Sequence, residues 1–261
     1  MEKEPLYKIE GLALKRLYTH QNSSLIYLLR AILASLFIGF GVIVAFKTGN
    51  FFYLEDSPLA YPSAALTFGA AIILIAYGGG DLFTGDTFYY TYAALRKKMT
   101  WLDVGKLWVY SYTGNLIGAI LFALLIYATG LFQDPSVNGF LVSVAQGKTL
   151  VPTSELFFRG ILCNWLVCLA FFLPYTVKGD GPKIFIMLLF VFCFFISGYE
   201  HSIANLATFS ISLSTGHPDA VTMAGIVHNI IPVTIGNLIG GALFMATMYH
   251  YVNKPFMEDD K

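Results

Sequence analysis

Six long apolar runs, at residues 24–47, 64–95, 102–131, 155–177, 183–213 and 222–252, organise this chain, with short polar stretches between them. A bilayer core takes roughly 20 apolar residues as helix, so each run predicts one transmembrane crossing. Two long runs carry a polar interruption near their middle. The second and fifth extend for about 30 residues, or roughly 45 Å as helix, which is too long for one straight crossing. Near the middle of the second stands GGGDLFTGDT, Gly78 to Thr87, and near the middle of the fifth stands SGYEHSIAN, Ser197 to Asn205. Both segments mix glycine with acids, hydroxyls or amides. Consecutive glycines disfavour helix, and Thr84, Asp86 and Ser202 are each of a type that caps a following half-helix. Open backbone at that depth is tolerated only where it lines a cavity, so the pattern predicts two broken helices meeting a polar passage.

The chain also repeats itself. GNLIGAILFALLIY, from Gly114 to Tyr127, matches GNLIGGALFMATMY, from Gly236 to Tyr249. A weaker echo pairs LRAILASLFIG from Leu29 with FRGILCNWLVC from Phe158. Each unit holds three crossings, an odd number, so the second copy enters the membrane from the opposite face and the two form an inverted repeat, as in many transport proteins. The expected organisation is an N-terminal segment 1–23, a first three-helix repeat 24–131, a connecting loop 132–154, a second repeat 155–252 and a tail 253–261.

Composition agrees with a membrane protein: 56% of residues are apolar, 12% are charged, and the mean hydropathy is +0.65. Sixteen basic and sixteen acidic residues balance, which leaves no electrostatic case for a nucleic-acid partner. Cys163, Cys168 and Cys193 lie in apolar segments without metal spacing and read as buried thiols. The N-terminus lacks the apolar core of a signal peptide. Leu6, Ile9, Leu12 and Ala13 at helical spacing, with Lys8, Lys15 and Arg16 on other faces, suit a short helix at the membrane surface or a frayed tail. Basic residues gather in the N-terminal segment and after the second and fourth crossings, while the opposite loops hold Lys47 and Lys148. The positive-inside rule then puts both termini in the cytoplasm. Arg30 and Arg159, near the ends of their helices, are expected to snorkel to headgroups.

Candidate chemistry concentrates at the breaks. Half-helices starting near Asp86 and Ser202 would aim positive dipole ends at the midplane and favour small anions. His201 is the nearby side chain whose charge can change around neutral pH, and Thr84 offers a hydroxyl from the other repeat. The alternative for His201 is a core histidine satisfied by backbone carbonyls. Asp81, Asp86 and Glu200 would repel an anion and are assigned to holding the breaks. Asn164 and Asn237 are placed either to present amides to the passage or to bridge helices. Lys148 either draws anions to an entrance or is a solvated lysine.

At GYEHSIANL and GDLFTGDT the chain resembles the formate/nitrite transporter family, and within it the hydrosulfide channel branch. The resemblance covers nearly the whole chain. It implies an aquaporin-like six-helix fold assembled as a homopentamer, each protomer passing small monovalent anions or their conjugate acids. The family's central threonine and histidine fall on Thr84 and His201, its lumen-facing lysine on Lys148, and its pore asparagines on Asn164 and Asn237. Its apolar constrictions fall on Leu82 and Phe194, with Phe68 on the approach. The expectation is an inner-membrane channel for hydrosulfide, formate or nitrite, with no cofactor or metal. Two other readings stand beside it: a proton-coupled formate/nitrite transporter, and an intramembrane hydrolase using Glu200, His201, His217, Asp219 and His228. The hydrolase has poor support, because neither HExxH nor a plausible GxSxG elbow is present.

Overall fold

The computed structural model describes residues 3–215 and 221–257, so His217, Asp219 and Lys261 lie outside the described residues. Among the described residues the chain is helical, with no strands. Helix α1 (Lys3–Asn22) precedes the first crossing, α2 (Ser24–Tyr53), which begins where the Ser23 hydroxyl accepts from the Ile26 N–H at 3.2 Å. The second crossing consists of α3 (Ala60–Phe68), α4 (Ala70–Gly78), a non-helical break and α5 (Phe83–Leu95). The third is α6 (Trp101–Thr129), capped by Thr100. Helix α7 (Pro135–Thr149) leads into the second half. There α8 (Thr153–Phe172) crosses, α9 (Asp180–Ile196) and α10 (Ser202–Ser214) form the second broken helix, and α11 (Met223–Ile239) runs into a π-helical stretch, Gly240–Thr247, and α12 (Met248–Met257). Five of these stretches are individually long and apolar enough to cross a membrane. The fold is all-helical with the second and fifth crossings interrupted, and the repeat governs the packing. Helix α2 lies against α6 as α8 lies against α11.

Three expectations need correction. Helix α1 does not lie loose on a membrane surface. Leu6, Ile9 and Ala13 are buried with Tyr27, Phe88, Tyr92 and Leu107 in a second hydrophobic cluster, because its apolar face matches the underside of α5. The segment expected as a connecting loop folds as α7. Its start is fixed by Asp134, which accepts from the Ser136 N–H at 2.8 Å; that backbone bond holds the Asp134 carboxyl below the usual carboxylate range. Arg30 and Arg159 do not depend on headgroups alone: Arg30 binds Asp81 through two nitrogens at 2.7 and 3.2 Å, and Arg159, still 38% exposed, binds Glu155 one turn away at 2.6 Å.

Candidate functional site

Both breaks are built alike. The first half-helix ends at Gly79 (φ 78°) in one repeat and at Gly198 (φ 71°) in the other, a left-handed conformation that glycine reaches without a Cβ clash. The following N–H folds back in each case: Gly80 donates to the Ile75 carbonyl at 3.2 Å and Tyr199 to the Phe194 carbonyl at 3.1 Å. Next, the Asp81 N–H donates to the Arg30 carbonyl at 3.1 Å and the Glu200 N–H to that of Arg159 at 3.4 Å, which ties each break to the preceding crossing. The second half-helices then start from Leu82 (φ −106°, ψ 125°) and His201 (φ −108°, ψ 113°). Leu82 and His201 therefore occupy equivalent positions in the two repeats.

The expected caps are replaced by others. The imidazole of His201 caps α10, its Nδ1 accepting the Ala204 N–H at 3.0 Å, whereas the Ser202 hydroxyl is buried without a partner. An accepting Nδ1 carries no hydrogen, so Nε2 bears it in the neutral ring. Nε2 lies 3.1 Å from Thr84 Oγ1. The threonine oxygen accepts there, and its own hydrogen is left to donate. Thr84 and His201, from opposite repeats, thus meet side to side while both are buried.

Asp86 does not cap α5. It is fully buried and binds Arg16, the Ser111 hydroxyl at 2.6 Å and the Tyr27 hydroxyl at 3.3 Å. Arg16 also binds Asp81 at 2.8 Å. The α1 helix thereby delivers a guanidinium to two carboxylates at the first break. In the second repeat Glu200 is matched by Lys148 Nζ at 2.8 Å and by the Asn205 amide at 2.6 Å. Lys148 is therefore not a free loop lysine: it projects from the last turn of α7 onto the break. Asn205 also donates to Asn229 Oδ1 at 2.9 Å, and Asn229 donates to the Lys148 carbonyl at 3.0 Å. The cationic partner comes in each repeat from the helix that precedes it.

Asn164 and Asn237 take the bridging role of their two expected ones. Asn164 Nδ2 donates to the carbonyls of Thr84 at 3.1 Å and Asn237 at 2.6 Å and to the Thr87 hydroxyl at 2.9 Å. By taking the Asn237 carbonyl it competes with the next turn's N–H groups, and the eight residues from Gly240 wind as π-helix. Asn237 spends its own side chain on the second break. Neither asparagine lines the cavities described next.

Three cavities follow one another through the chain. One of about 220 Å³, on the α1 side, is lined by Lys15, Arg16, Arg30, Tyr89 and Leu82 among others. One of about 20 Å³ in the centre is lined by Phe68, Ile72, Leu82, Phe171, Phe194 and His201. One of about 30 Å³ on the α7 side is lined by Phe68, Lys148, Phe194, His201, Asn205 and Thr208. Leu82 borders the first and second, and Phe194 and Phe68 border the second and third. A water needs roughly 10–15 Å³ measured this way, so the two small cavities each hold about one or two small molecules and no hydrated ion. Phe194 lies over the His201 ring at 6.0 Å between centroids, and Phe68 meets Phe194 edge-on at 6.1 Å.

Such a passage, closed by apolar side chains around one polar pair, can be set against known proteins. The family model described as Formate/nitrite transporter matches residues 9–251. The chain belongs to that family. In the formate/nitrite transporter family this chain is 62% identical to the uncharacterised transporter YwcJ of Bacillus subtilis, over 97% of this chain and 99% of that one. It is 37% identical to the nitrite transporter NirC of Escherichia coli, over 88% and 84%. Among solved structures, a formate/nitrite transporter family ion channel superposes with a TM-score of 0.90 at 33% identity, covering 96% of this chain and 99% of that one. A pentameric formate channel with formate bound superposes at 0.76 and 26% identity, covering 90% and 99%. The fold is thus the aquaporin-like one of these channels, and the protein is a multi-pass membrane transport protein rather than an enzyme.

The hydrolase reading gains nothing from the geometry. His228 Nε2 sits 2.9 Å from the Val151 carbonyl, and no three His, Cys, Asp or Glu side chains gather among the described residues. Two residues central to the site were not singled out from the sequence. Arg16 had no local signal, since its partners are remote. Asn115 did have one, because it is the repeat partner of Asn237 within GNLIG.

Proposed function

We propose that the protein is a channel for small monovalent anions of weak acids, hydrosulfide, formate or nitrite, with Thr84 and His201 as the central polar site. In this reading it sits as a homopentamer in the cytoplasmic membrane, with both termini on the cytoplasmic side and one passage in each protomer. The observation that carries the proposal is the 3.1 Å contact between Thr84 and His201 beside an apolar chamber of about 20 Å³ bounded by Leu82 and Phe194. Lys148 and the arginines at the two outer cavities attract an anion. Leu82, Phe194 and Phe68 strip its water, so selection works by size and dehydration rather than by tight binding. The free Thr84 hydrogen then replaces part of the lost hydration, while the Nε2 hydrogen of His201 holds the threonine oxygen in the orientation that leaves that hydrogen free. Support for the substrate class comes from the nitrite transporter NirC and from the formate bound in the pentameric relative.

Purified protein in liposomes tests this by flux of hydrosulfide, formate, nitrite, acetate and chloride. The first three are expected to pass and chloride to be excluded, with Thr84→Ala and His201→Phe both slowing formate. Unchanged formate flux in both variants overturns the role of the pair. A proton-coupled transporter is the second reading, favoured by the closure of the chamber on both sides with one imidazole inside. Single-channel currents far above carrier turnover would decide against it.

A further inference from the structure

The repeated sequence GNLIG has no part in the passage itself, yet it is the strongest internal match in the chain. Its two asparagines make the same bonds. Asn115 Oδ1 accepts the Phe83 N–H at 2.9 Å, and its Nδ2 donates to the carbonyls of Ala31 at 2.7 Å and Asp81 at 3.1 Å. Asn237 Oδ1 accepts the Ser202 N–H at 2.8 Å, and its Nδ2 donates to the carbonyls of Gly160 at 2.8 Å and Glu200 at 2.9 Å. Each amide thus clasps the break on both sides of the residue that starts the second half-helix, Leu82 in one repeat and His201 in the other. Its third bond fixes that clasp to the neighbouring crossing, α2 or α8.

The glycines of the motif explain how the amide gets there. A Cβ on Gly114 would sit 2.5 Å from the Ala31 Cβ, and one on Gly236 would sit 2.3 Å from the Phe157 carbonyl oxygen. Such contact brings α6 onto α2, and α11 onto α8, closely enough for a short side chain to reach both a helix carbonyl and the break behind it. Both asparagines are fully buried with donors and acceptor occupied, so they have no capacity left for an anion.

We propose that Asn115 and Asn237 are matched positioning residues: Asn115 sets the place of the Leu82 constriction, and Asn237 sets the place of the His201 imidazole. This rests on the channel reading above and assigns a separate duty to each asparagine. Loss of Asn115 frees the Leu82 backbone and widens the apolar ring. Loss of Asn237 frees the cap residue, whose imidazole is the one that lines the passage among the described residues.

Hydrogen exchange on the wild-type protein in nanodiscs tests the clasp without any variant. The Phe83 and Ser202 amides are expected to exchange as slowly as mid-helix amides of α6, and exchange at the rate of open backbone overturns the proposal. Asn115→Ala is expected to speed exchange at Phe83 alone, and Asn237→Ala at Ser202 alone. In liposomes Asn115→Ala should raise the acetate-to-formate flux ratio about tenfold, the scale on which an apolar pocket discriminates one methyl group, while keeping the pH profile. Asn237→Ala should move the pH profile of formate flux. If both variants lower every flux by a common factor with unchanged profiles, the residues are merely structural and the proposal fails. Should the variants not assemble, the wild-type exchange pattern alone decides. Should the wild type carry neither formate nor nitrite, the channel reading fails while the exchange test still stands.

Discussion

Replacing Arg16 with methionine should loosen the N-terminal helix from the body of the protein, and the size of the effect follows from what the guanidinium touches. Its Nε lies 2.8 Å from Asp81, and it also binds Asp86; both carboxylates are fully buried, and the arginine side chain is 13% exposed. At an effective dielectric constant near 20, the 2.8 Å pair alone is worth about 6 kcal/mol of attraction. Several kcal/mol of desolvation per ion offset most of that gain, so the net value of the intact cluster is small. Removing one member is different, because the desolvation of the others remains. Asp81 keeps Arg30, but Asp86 is left with hydroxyls, those of Ser111, Tyr27 and Tyr90, and no cation. The loss should therefore approach the roughly 3–5 kcal/mol typical of a broken buried pair. The stack of the guanidinium over the Tyr89 ring, 4.9 Å to its centroid, adds about 1 kcal/mol.

A double-mutant cycle isolates the pair. Thermal or denaturant unfolding of wild type, Arg16→Met, Asp86→Asn and the double variant should show that Asp86→Asn recovers a large part of the Arg16→Met loss, with a coupling of about 1–3 kcal/mol. Protease nicking of α1 should rise in Arg16→Met and return toward wild type in the double variant. Additive losses, or an Arg16→Met protein as stable as wild type, would refute the account of α1 as a helix held by a buried cation.

Further outcomes are expected at other points of the frame. Gly241→Ala should destabilise by about 1–3 kcal/mol, because its Cβ would lie 1.9 Å from Thr87 Oγ1 inside the π-helical stretch, as read by thermal unfolding. Gly198→Ala should cost about 1 kcal/mol through its left-handed backbone alone, since nothing lies within 4 Å of its added Cβ; Gly198→Asn should cost less in the same assay. Phe194→Ala joins the two small cavities and should admit acetate, measured as a raised acetate-to-formate flux ratio. The Asp134 cap is present above the ordinary carboxylate range and is lost as pH falls through the lowered value. The protection of the Ser136, Val137 and Asn138 amides against hydrogen exchange, taken relative to their intrinsic rates, should therefore fall in acid, and Asp134→Asn should remove most of that dependence.

How much of this could be read from the residues depended on whether a feature had a local cause. The breaks were legible because glycine and charge inside a 30-residue apolar run contradict membrane helix formation wherever they occur. The Thr84–His201 meeting was legible because each lies in one break and the repeat brings the breaks together. The caps were misjudged: Ser, Thr and Asp are the usual cap types, yet the imidazole of His201 sits at the cap position itself and captures the Ala204 N–H. Arg16 was out of reach, since 70 residues separate it from Asp86 and an amphipathic segment looks alike whether it faces lipid or protein. Asn115 lay between these cases. Nothing around it in a 29-residue apolar helix marks a site, but the same residue recurs as Asn237 in the second GNLIG.

The repeat explains the frame, and its failure explains the chemistry. Left-handed glycines, fold-back N–H groups, asparagine clasps and cation-paired carboxylates recur in both halves, so duplication alone would yield two equivalent cap residues facing one another. The chain places leucine at one and histidine at the other. Two leucines would close the centre with no group to replace lost hydration, and two histidines would hold a second buried imidazole with no apolar ring between it and the larger cavity. With one of each, the larger cavity ends at an apolar residue, and the polar pair lies behind it against Phe194. Thr84 completes that pair from the leucine side, two residues into α5, where its hydroxyl reaches across the repeat boundary to Nε2. A swap of the two cap residues, Leu82→His with His201→Leu, should therefore not restore function by symmetry. It would leave Thr84 facing leucine and put the imidazole beside Arg16 and Arg30, and formate flux should fall as far as in His201→Leu alone.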